Sequence, residues 1–248
     1  MDRLARTALT GLRAAMSRQT VTANNLANAN TIGFRAEMSA AQTLWMNAQG
    51  SIPSAQATGG VIGADMSAGT VNQTGRDLDV AMVGDALLAV QAEDGSEAYT
   101  RRGDLQVSAT GLVTTGDGRP VLGEGGPLTL PPADSIRIAE DGAVWIVPAG
   151  GDPSQPQQVD RLKLVTPAGS RVRKGVDGLF RVENGGALPS DPAGRLTPRA
   201  LEGSNVQVSQ ALIDMIDASR AWDQQINLVA AAREIDTSAA DLMRLPNA

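Results

Sequence analysis

Asp77 and Asp79 stand two residues apart, a spacing that puts both carboxylates on one face of a strand. Two carboxylates on one face are what acid–base cleavage of a glycosidic bond requires. On that reading the chain is a cell-wall glycan hydrolase using Asp77 and Asp79. The rest of the sequence gives the pair no support. No second acid pair or aromatic sugar platform stands out, and His is absent, which removes the commonest general base and metal ligand. Cys is absent too, so neither thiolate chemistry nor a disulfide is available. The expectation is a solvated strand face or a turn contact at Asp77 and Asp79. No catalytic residue, cofactor site or metal site is assigned, and the chain is read as not an enzyme.

Two further motifs invite chemistry and resolve into structure. Gly123-Glu124-Gly125-Gly126-Pro127 lacks the following Lys-Ser/Thr and the opening helix of a phosphate loop, so it reads as a turn. Arg101 and Arg102 are adjacent on an expected strand, one leaning inward and one solvated, and able to pair with acids across subunits.

Composition narrows the function classes. With 21 Lys+Arg against 27 Asp+Glu the net charge is −6, which argues against nucleic acid as a partner, since phosphate neutralisation needs a basic stripe. No apolar run reaches the roughly 18 residues of a membrane span. The N-terminus carries Arg3 and Arg6 but no uninterrupted apolar region and no small-residue cleavage site. The expectation is a chain without a cleaved secretory signal, which stays in the cytoplasm or leaves by a route that reads an uncleaved N-terminus. Aromatics are 2% of the chain, so the core must rest on aliphatic residues and Met.

The elements that would position any site begin with two helices, one at each end. Ala5, Leu9, Leu12, Met16, Gln19, Ala23 and Leu26 step alternately by four and three, an a/d seam with one polar interruption. Val208, Leu212, Met215, Ser219, Trp222, Ile226 and Val229 repeat the stepping near the C-terminus. The first helix is predicted from Asp2 to about Asn28 and the second from about Val208 to Leu242, capped by Ser204 or Asn205. Asn24, Asn25, Asn28 and Gly33 crowd the exit of the first helix, and Phe34 reads as an anchor into a neighbouring chain or as a local packing residue. The spacing alone allows either an intramolecular pair of helices or surfaces completed by other chains.

Between them the period changes to two. Strands are expected at Leu78–Met82, Ala86–Ala92, Tyr99–Val107, Ile136–Ile138, Val144–Val147, Leu162–Val165 and Leu179–Val182. Asp94-Gly95, Asp117-Gly118, Asp141-Gly142, Asp177-Gly178 and Asn184-Gly185 mark hairpin turns. The reading is α+β. An N-terminal helix and exit segment spans 1–48, an extended Gly/Ala/Ser linker or arm 49–70, an antiparallel β-domain 71–200, and a C-terminal helix 201–248.

Several segments carry a family resemblance. Ala23-Asn24-Asn25-Leu26-Ala27-Asn28 followed by Thr31-Ile32-Gly33-Phe34-Arg35 resembles the N-terminal signature of bacterial flagellar axial proteins of the rod and hook group. Asp77-Leu78-Asp79-Val80-Ala81, Tyr99-Thr100-Arg101-Arg102-Gly103 with Gly111-Leu112-Val113, and Leu201-Glu202-Gly203-Ser204-Asn205-Val206 with Met215, Ile216 and Arg220 agree in the same order. Within the group the resemblance is strongest to proximal rod subunits, with distal rod subunits the near rival. Asp77 stands where proline is common and Leu105 where an aromatic is common, and both bear on local strand geometry.

The resemblance implies that the two helices pack together as a coiled-coil-like assembly layer of a helical tube, with the β-domain outside it. It implies a structural subunit of the basal-body rod, within the periplasm, which helps carry motor torque to the hook. The implied partners are other rod subunits, copies of the same chain, and the flagellar export apparatus that passes it without signal cleavage. The assembly residues are then Leu9, Leu12, Met16, Leu26, Leu212, Met215, Trp222, Ile226 and Val229 on the seams. Asn24, Asn25, Asn28, Gly33 and Phe34 form the exit of the first helix.

Overall fold

A computed structural model describes residues 2–46 and 54–243. They divide into two compact units. The first takes in the described residues of Met1–Ala27, Glu37–Gly63 and Gln207–Ala248; the second is Asn28–Ala36 with Ala64–Val206.

The first unit holds two helices, α1 (Asp2–Ala27) and α2 (Val208–Met243), which pack against each other. It also holds strands β1 (Glu37–Met46) and β2 (Ser54–Ala64), paired in a two-stranded sheet. The expected linker over 49–70 is therefore in part a strand; its residues 49–53 lie outside the described residues. Its Gly, Ala and Ser residues carry no alternation of large apolar and polar groups, so periodicity could not mark it as a strand.

The helices meet along small side chains. Ala14, Ala15 and Val21 of α1 are buried, as are Ala211 and Ala218 of α2. A Cβ on Gly11 would lie 2.8 Å from the Gln225 amide oxygen, so Gly11 admits a close approach of α2. Ala211, Ala218 and Gln225 repeat every seven residues. That contact face is set back one residue from the expected stripe of Leu212, Ser219 and Ile226, a rotation of about 100° around the helix. The large residues of the stripe therefore do not mark the face that the helices share within the chain.

The second unit is built of short strands: β3 (Val71–Gln73), β4 (Val80–Met82), β5 (Leu87–Gln91), β6 (Glu97–Thr100), β7 (Leu105–Val107) and β8 (Val113–Thr115). They continue as β9 (Leu122–Gly123), β10 (Gly126–Pro127), β11 (Ala133–Ile138), β12 (Ala143–Pro148), β13 (Gln157–Arg161) and β14 (Leu164–Val165). The last four are β15 (Val172–Lys174), β16 (Phe180–Val182), β17 (Leu196–Pro198) and β18 (Ala200–Glu202). A five-stranded sheet has the order β14-β5-β6-β16-β15, and a three-stranded sheet the order β11-β12-β13. The pairs β4–β17, β3–β18, β7–β8 and β9–β10 are also antiparallel.

Strand β5 shows why this unit is self-sufficient. Its run of apolar residues is buried on both faces. Leu88 and Val90 join a cluster with Val80, Leu105, Val121, Leu128, Val144 and Leu162. Leu87 and Ala89 point the opposite way, into a cluster with Tyr99, Val165, Phe180 and Leu188. The two rings lie opposite each other across β6 and β16. The Tyr99 hydroxyl accepts a hydrogen bond from the Leu188 amide, and burial pushes its pKa up to about 12. Leu105 is fully buried in β7, so it fills its site without an aromatic ring.

The Asp-Gly turns fall where expected. Gly95 and Gly142 join β5 to β6 and β11 to β12 with φ of 80° and 86°, the sign that tight hairpin turns demand. Two strands differ from expectation. Tyr99–Val107 is broken between β6 and β7, and Leu78–Met82 shortens to β4. In both cases a polar side chain hydrogen-bonds outside the ladder, as described next.

Candidate functional site

The second unit is organised around one carboxylate. Glu202 ends β18, and its side chain is fully buried. Its Oε1 accepts hydrogen bonds from Arg35 Nη2 at 2.7 Å and from the Gly69 amide at 2.8 Å. Its Oε2 accepts two from Arg101, Nε at 2.9 Å and Nη2 at 2.6 Å. Its backbone oxygen accepts the Gly33 amide at 2.8 Å. Arg101 is held in turn by the carbonyls of Met82, Gly84 and Ala86. Burial draws the Arg101 pKa down, and the neighbouring Glu202 opposes that shift. Turning Arg101 inward to this cluster ends β6. Both oxygens of the carboxylate are occupied, so the cluster is a structural tie and not an open reactive group.

Asn205 adds a second tie. Its Oδ1 accepts the Ala36 amide at 2.7 Å, and its Nδ2 donates to the carbonyls of Asp65 and Ser67. Asn205 therefore does not cap α2, and neither does Ser204, whose Oγ accepts from the Val206 amide. Asn25, in the first unit, works similarly. Its side chain donates to the Glu37 carbonyl at 2.9 Å and accepts the Glu37 amide at 2.7 Å, joining the end of α1 to the start of β1.

The expected exit residues are used inside the chain. Gly33 does not close α1, which ends at Ala27. It has φ 67°, and a Cβ there would collide with the Arg101 carbonyl, so only glycine fits. Phe34 is buried beneath Lys174, whose Nζ stands 3.4 Å from the ring centroid and also donates to the Arg35 carbonyl. Phe34 is thus packed within its own β unit, in keeping with the local role that the sequence left open beside an anchor into a neighbour. Asn28 accepts the Thr31 hydroxyl, and Asn24 is half-buried.

The seam residues divide into two groups. Leu9 is 45% exposed, Met16 58%, Leu212 46% and Ile226 45%. Leu12, Leu26, Met215, Trp222 and Val229 are half-buried. Ile213, Ile216, Leu228 and Ile235 add further exposed aliphatics to α2.

Asp77 and Asp79 do not form a catalytic pair. Asp79 is 1% exposed, accepts the Thr74 hydroxyl at 2.6 Å and lies 3.6 Å from Arg76. Asp77 lies outside and accepts from Arg199 Nε at 2.7 Å. Buried at this depth, Asp79 cannot share a sugar bond with Asp77. Arg102 pairs with Asp104 at 2.7 Å, so the acids that meet Arg101 and Arg102 belong to the same chain. Gly123–Pro127 is the β9–β10 turn. Among the described residues no group of His, Cys, Asp or Glu could hold a metal, and no helix is long and apolar enough to cross a membrane.

Glu202 lies within a motif that resembles the family's C-terminal signature, but the sequence alone gives it no role, and it offers Asn205 only as a helix cap. The available signal was an acid directly following the apolar Ala200-Leu201 pair at the end of a strand. Its partner Arg35 is 167 positions away, beyond the reach of any spacing rule.

Comparison with known proteins matches the same segments. Residues 6–35 match the family described as flagella basal body rod protein. Residues 81–146 match the flagellar hook protein FlgE/F/G D1 domain, and 197–242 the C-terminal region of flagellar basal body rod FlgEFG proteins. The flagellar basal-body rod protein FlgF of Salmonella typhimurium is 39% identical over 99% of this chain and 100% of its own length. FlgF of Escherichia coli is 40% identical over 93% of this chain and 94% of its own length. The basal-body rod protein FlgG of Bacillus subtilis is 31% identical over 95% of this chain and 97% of its own length. Since the chain is matched along nearly its whole length, it belongs to the flagellar basal-body rod protein family.

Proposed function

We propose that the chain is a structural subunit of the flagellar rod that joins its neighbours through the aliphatic stripes of α1 and α2. The observation that carries this reading is a mismatch within the first unit. The two helices pair through alanines and leave Leu9, Met16, Leu212, Ile213, Ile216, Ile226 and Leu228 exposed. Exposed aliphatics repeated along a helix are the mark of an interaction surface. Covering them removes apolar area from water, at about 25 cal/mol per Å². Gln19 and Ser219 interrupt the stripes, as polar residues do where they set register.

For a rod the contacts must be heterologous, because head-to-tail surfaces whose rotation does not close generate a helix. In this proposal the neighbours are other rod subunits and copies of the chain. The chain reaches the growing tip largely unfolded through the flagellar export apparatus, and it lodges in the periplasmic part of the basal body. Burial of the stripes makes folding and incorporation one event. Torque to the hook then passes through many such contacts in parallel, so no single residue carries it. Placement in the proximal rod is supported by relatives named FlgF at 39% and 40% identity, against 31% for a relative named FlgG.

The test is Leu12→Asp and, separately, Ile226→Asp, scored in isolated basal bodies. The expected result is a β unit that still unfolds cooperatively and a subunit missing from the rod. Normal incorporation of both variants would overturn the proposal.

A further inference from the structure

The residues around Glu202 have a consequence that does not depend on the rod reading. Residues 33–36 and 202–205 are tied to each other by four hydrogen bonds. The Gly33 amide donates to the Glu202 carbonyl and the Asn205 amide to the Phe34 carbonyl, while Arg35 reaches the Glu202 carboxylate and the Ala36 amide reaches the Asn205 side chain. The Arg35 side chain is fully buried, yet its Nε and Nη1 have no hydrogen-bond partner among the described residues. Its hold on the unit is Glu202 Oε1. Two guanidiniums share this single carboxylate, so if Glu202 is missing both positive charges are left buried without compensation, a costly state. If residues 33–36 are missing instead, Glu202 keeps Arg101 but loses the donors to its backbone oxygen and to half of Oε1. Gly69 also donates to Oε1, and the Asp65 and Ser67 carbonyls accept from Asn205, so the segment leaving β2 meets the same two residues.

We infer that Glu202 is a positioning residue that couples residues 33–36 and 202–205 on the β unit in one cooperative step, so that each segment is fully tightened only when the other is in place. One segment follows α1 and the other precedes α2. The lock therefore acts at the two places where the chain leaves the β unit for its helices. The order it imposes is specific. The N-terminal exit segment, though synthesised first, has no partner for the Arg35 guanidinium until nearly the whole β unit has been made and β18 has docked.

The experiment is amide hydrogen exchange on the purified full-length chain, comparing the natural sequence with Arg35→Met, Glu202→Gln and the double variant. The lock requires crossed effects. Arg35→Met should speed exchange across 200–205, and Glu202→Gln should speed it at Gly33, Ala36 and Gly69, each by at least about tenfold, while β5 and β6 stay protected. The double variant should be no faster than Glu202→Gln alone, because both changes break one shared interaction. If each substitution loosens only its own segment, or if the two effects add, the lock is wrong. Should Glu202→Gln fail to fold, the crossed effect of Arg35→Met on 200–205 still decides the matter.

Discussion

The β unit and the helical unit use their apolar residues in opposite ways. In the β unit the large aliphatics of β5 are buried on both faces, and Arg101 and Arg35 both pair with Glu202 inside the fold. In the helical unit the buried residues are small, and several large ones remain in water: Ala211 and Ala218 are covered, whereas Leu212 and Ile216 are exposed. The contrast teaches that burial, and not hydrophobicity alone, separates a finished core from a surface able to take a partner. A β unit that spent its aliphatics internally has little left to offer neighbours through them. A helix pair that meets through alanine can present its larger side chains outward.

Three substitutions or conditions can break or sharpen that contrast. The largest effect is expected in the β unit. Leu88→Ala should destabilise it by about 2–5 kcal/mol, the range for a fully buried leucine, read as a lowered urea midpoint. A loss below about 1 kcal/mol would mean that the cluster is far looser than its burial implies.

A smaller effect is expected from acid. At Asp117 burial works to raise the carboxyl pKa, but the Thr115 hydroxyl with Arg119 and Arg102 outweighs it and holds the group below its usual value. At Asp177 the Arg181 guanidinium lowers the pKa against a smaller opposing effect of burial. A carboxylate with a depressed folded pKa contributes stability that is present above its unfolded value, about 4, and is lost as pH falls through the folded value. The β unit should therefore keep its urea midpoint from neutral pH down to about pH 5 and lose stability below about pH 4. An unchanged midpoint below that point would show that these ion pairs add nothing, as exposed pairs can.

The smallest effect is expected at the helix surface. Ile216→Ala should change the stability of the dilute chain by no more than about 0.5 kcal/mol, since Ile216 is exposed. A loss comparable to that of Leu88→Ala would erase the contrast between the units.

Much of the architecture was legible in the sequence, and the reasons differ by element. The helices were marked by stepping of four and three, and their expected ends lie within one residue of Ala27 and Met243. The hairpins were marked by Asp-Gly turns, because the positive φ at Gly95 and Gly142 is a local demand. Strand β2 was not legible, because its Gly, Ala and Ser residues show no alternation. The face by which the two helices meet within the chain was not legible, because close helix approach selects small side chains such as Ala211 and Ala218, which hydropathy does not single out. The Glu202 cluster was hidden for another reason. Arg35, Arg101 and Glu202 look like ordinary surface charges until the fold brings together residues 101 and 167 positions apart.

If the proposed function holds, the exposed aliphatics of α1 and α2 are covered by other subunits in the assembled rod. The natural chain has no cysteine, so single substitutions Met16→Cys and Ile226→Cys give clean thiol reporters. Labelling by a small thiol reagent should be rapid in the dilute purified chain and at least about tenfold slower in isolated basal bodies, where reaction requires local opening of the contact. Equal labelling rates in the two states, with the substituted chain incorporated, would contradict the claim.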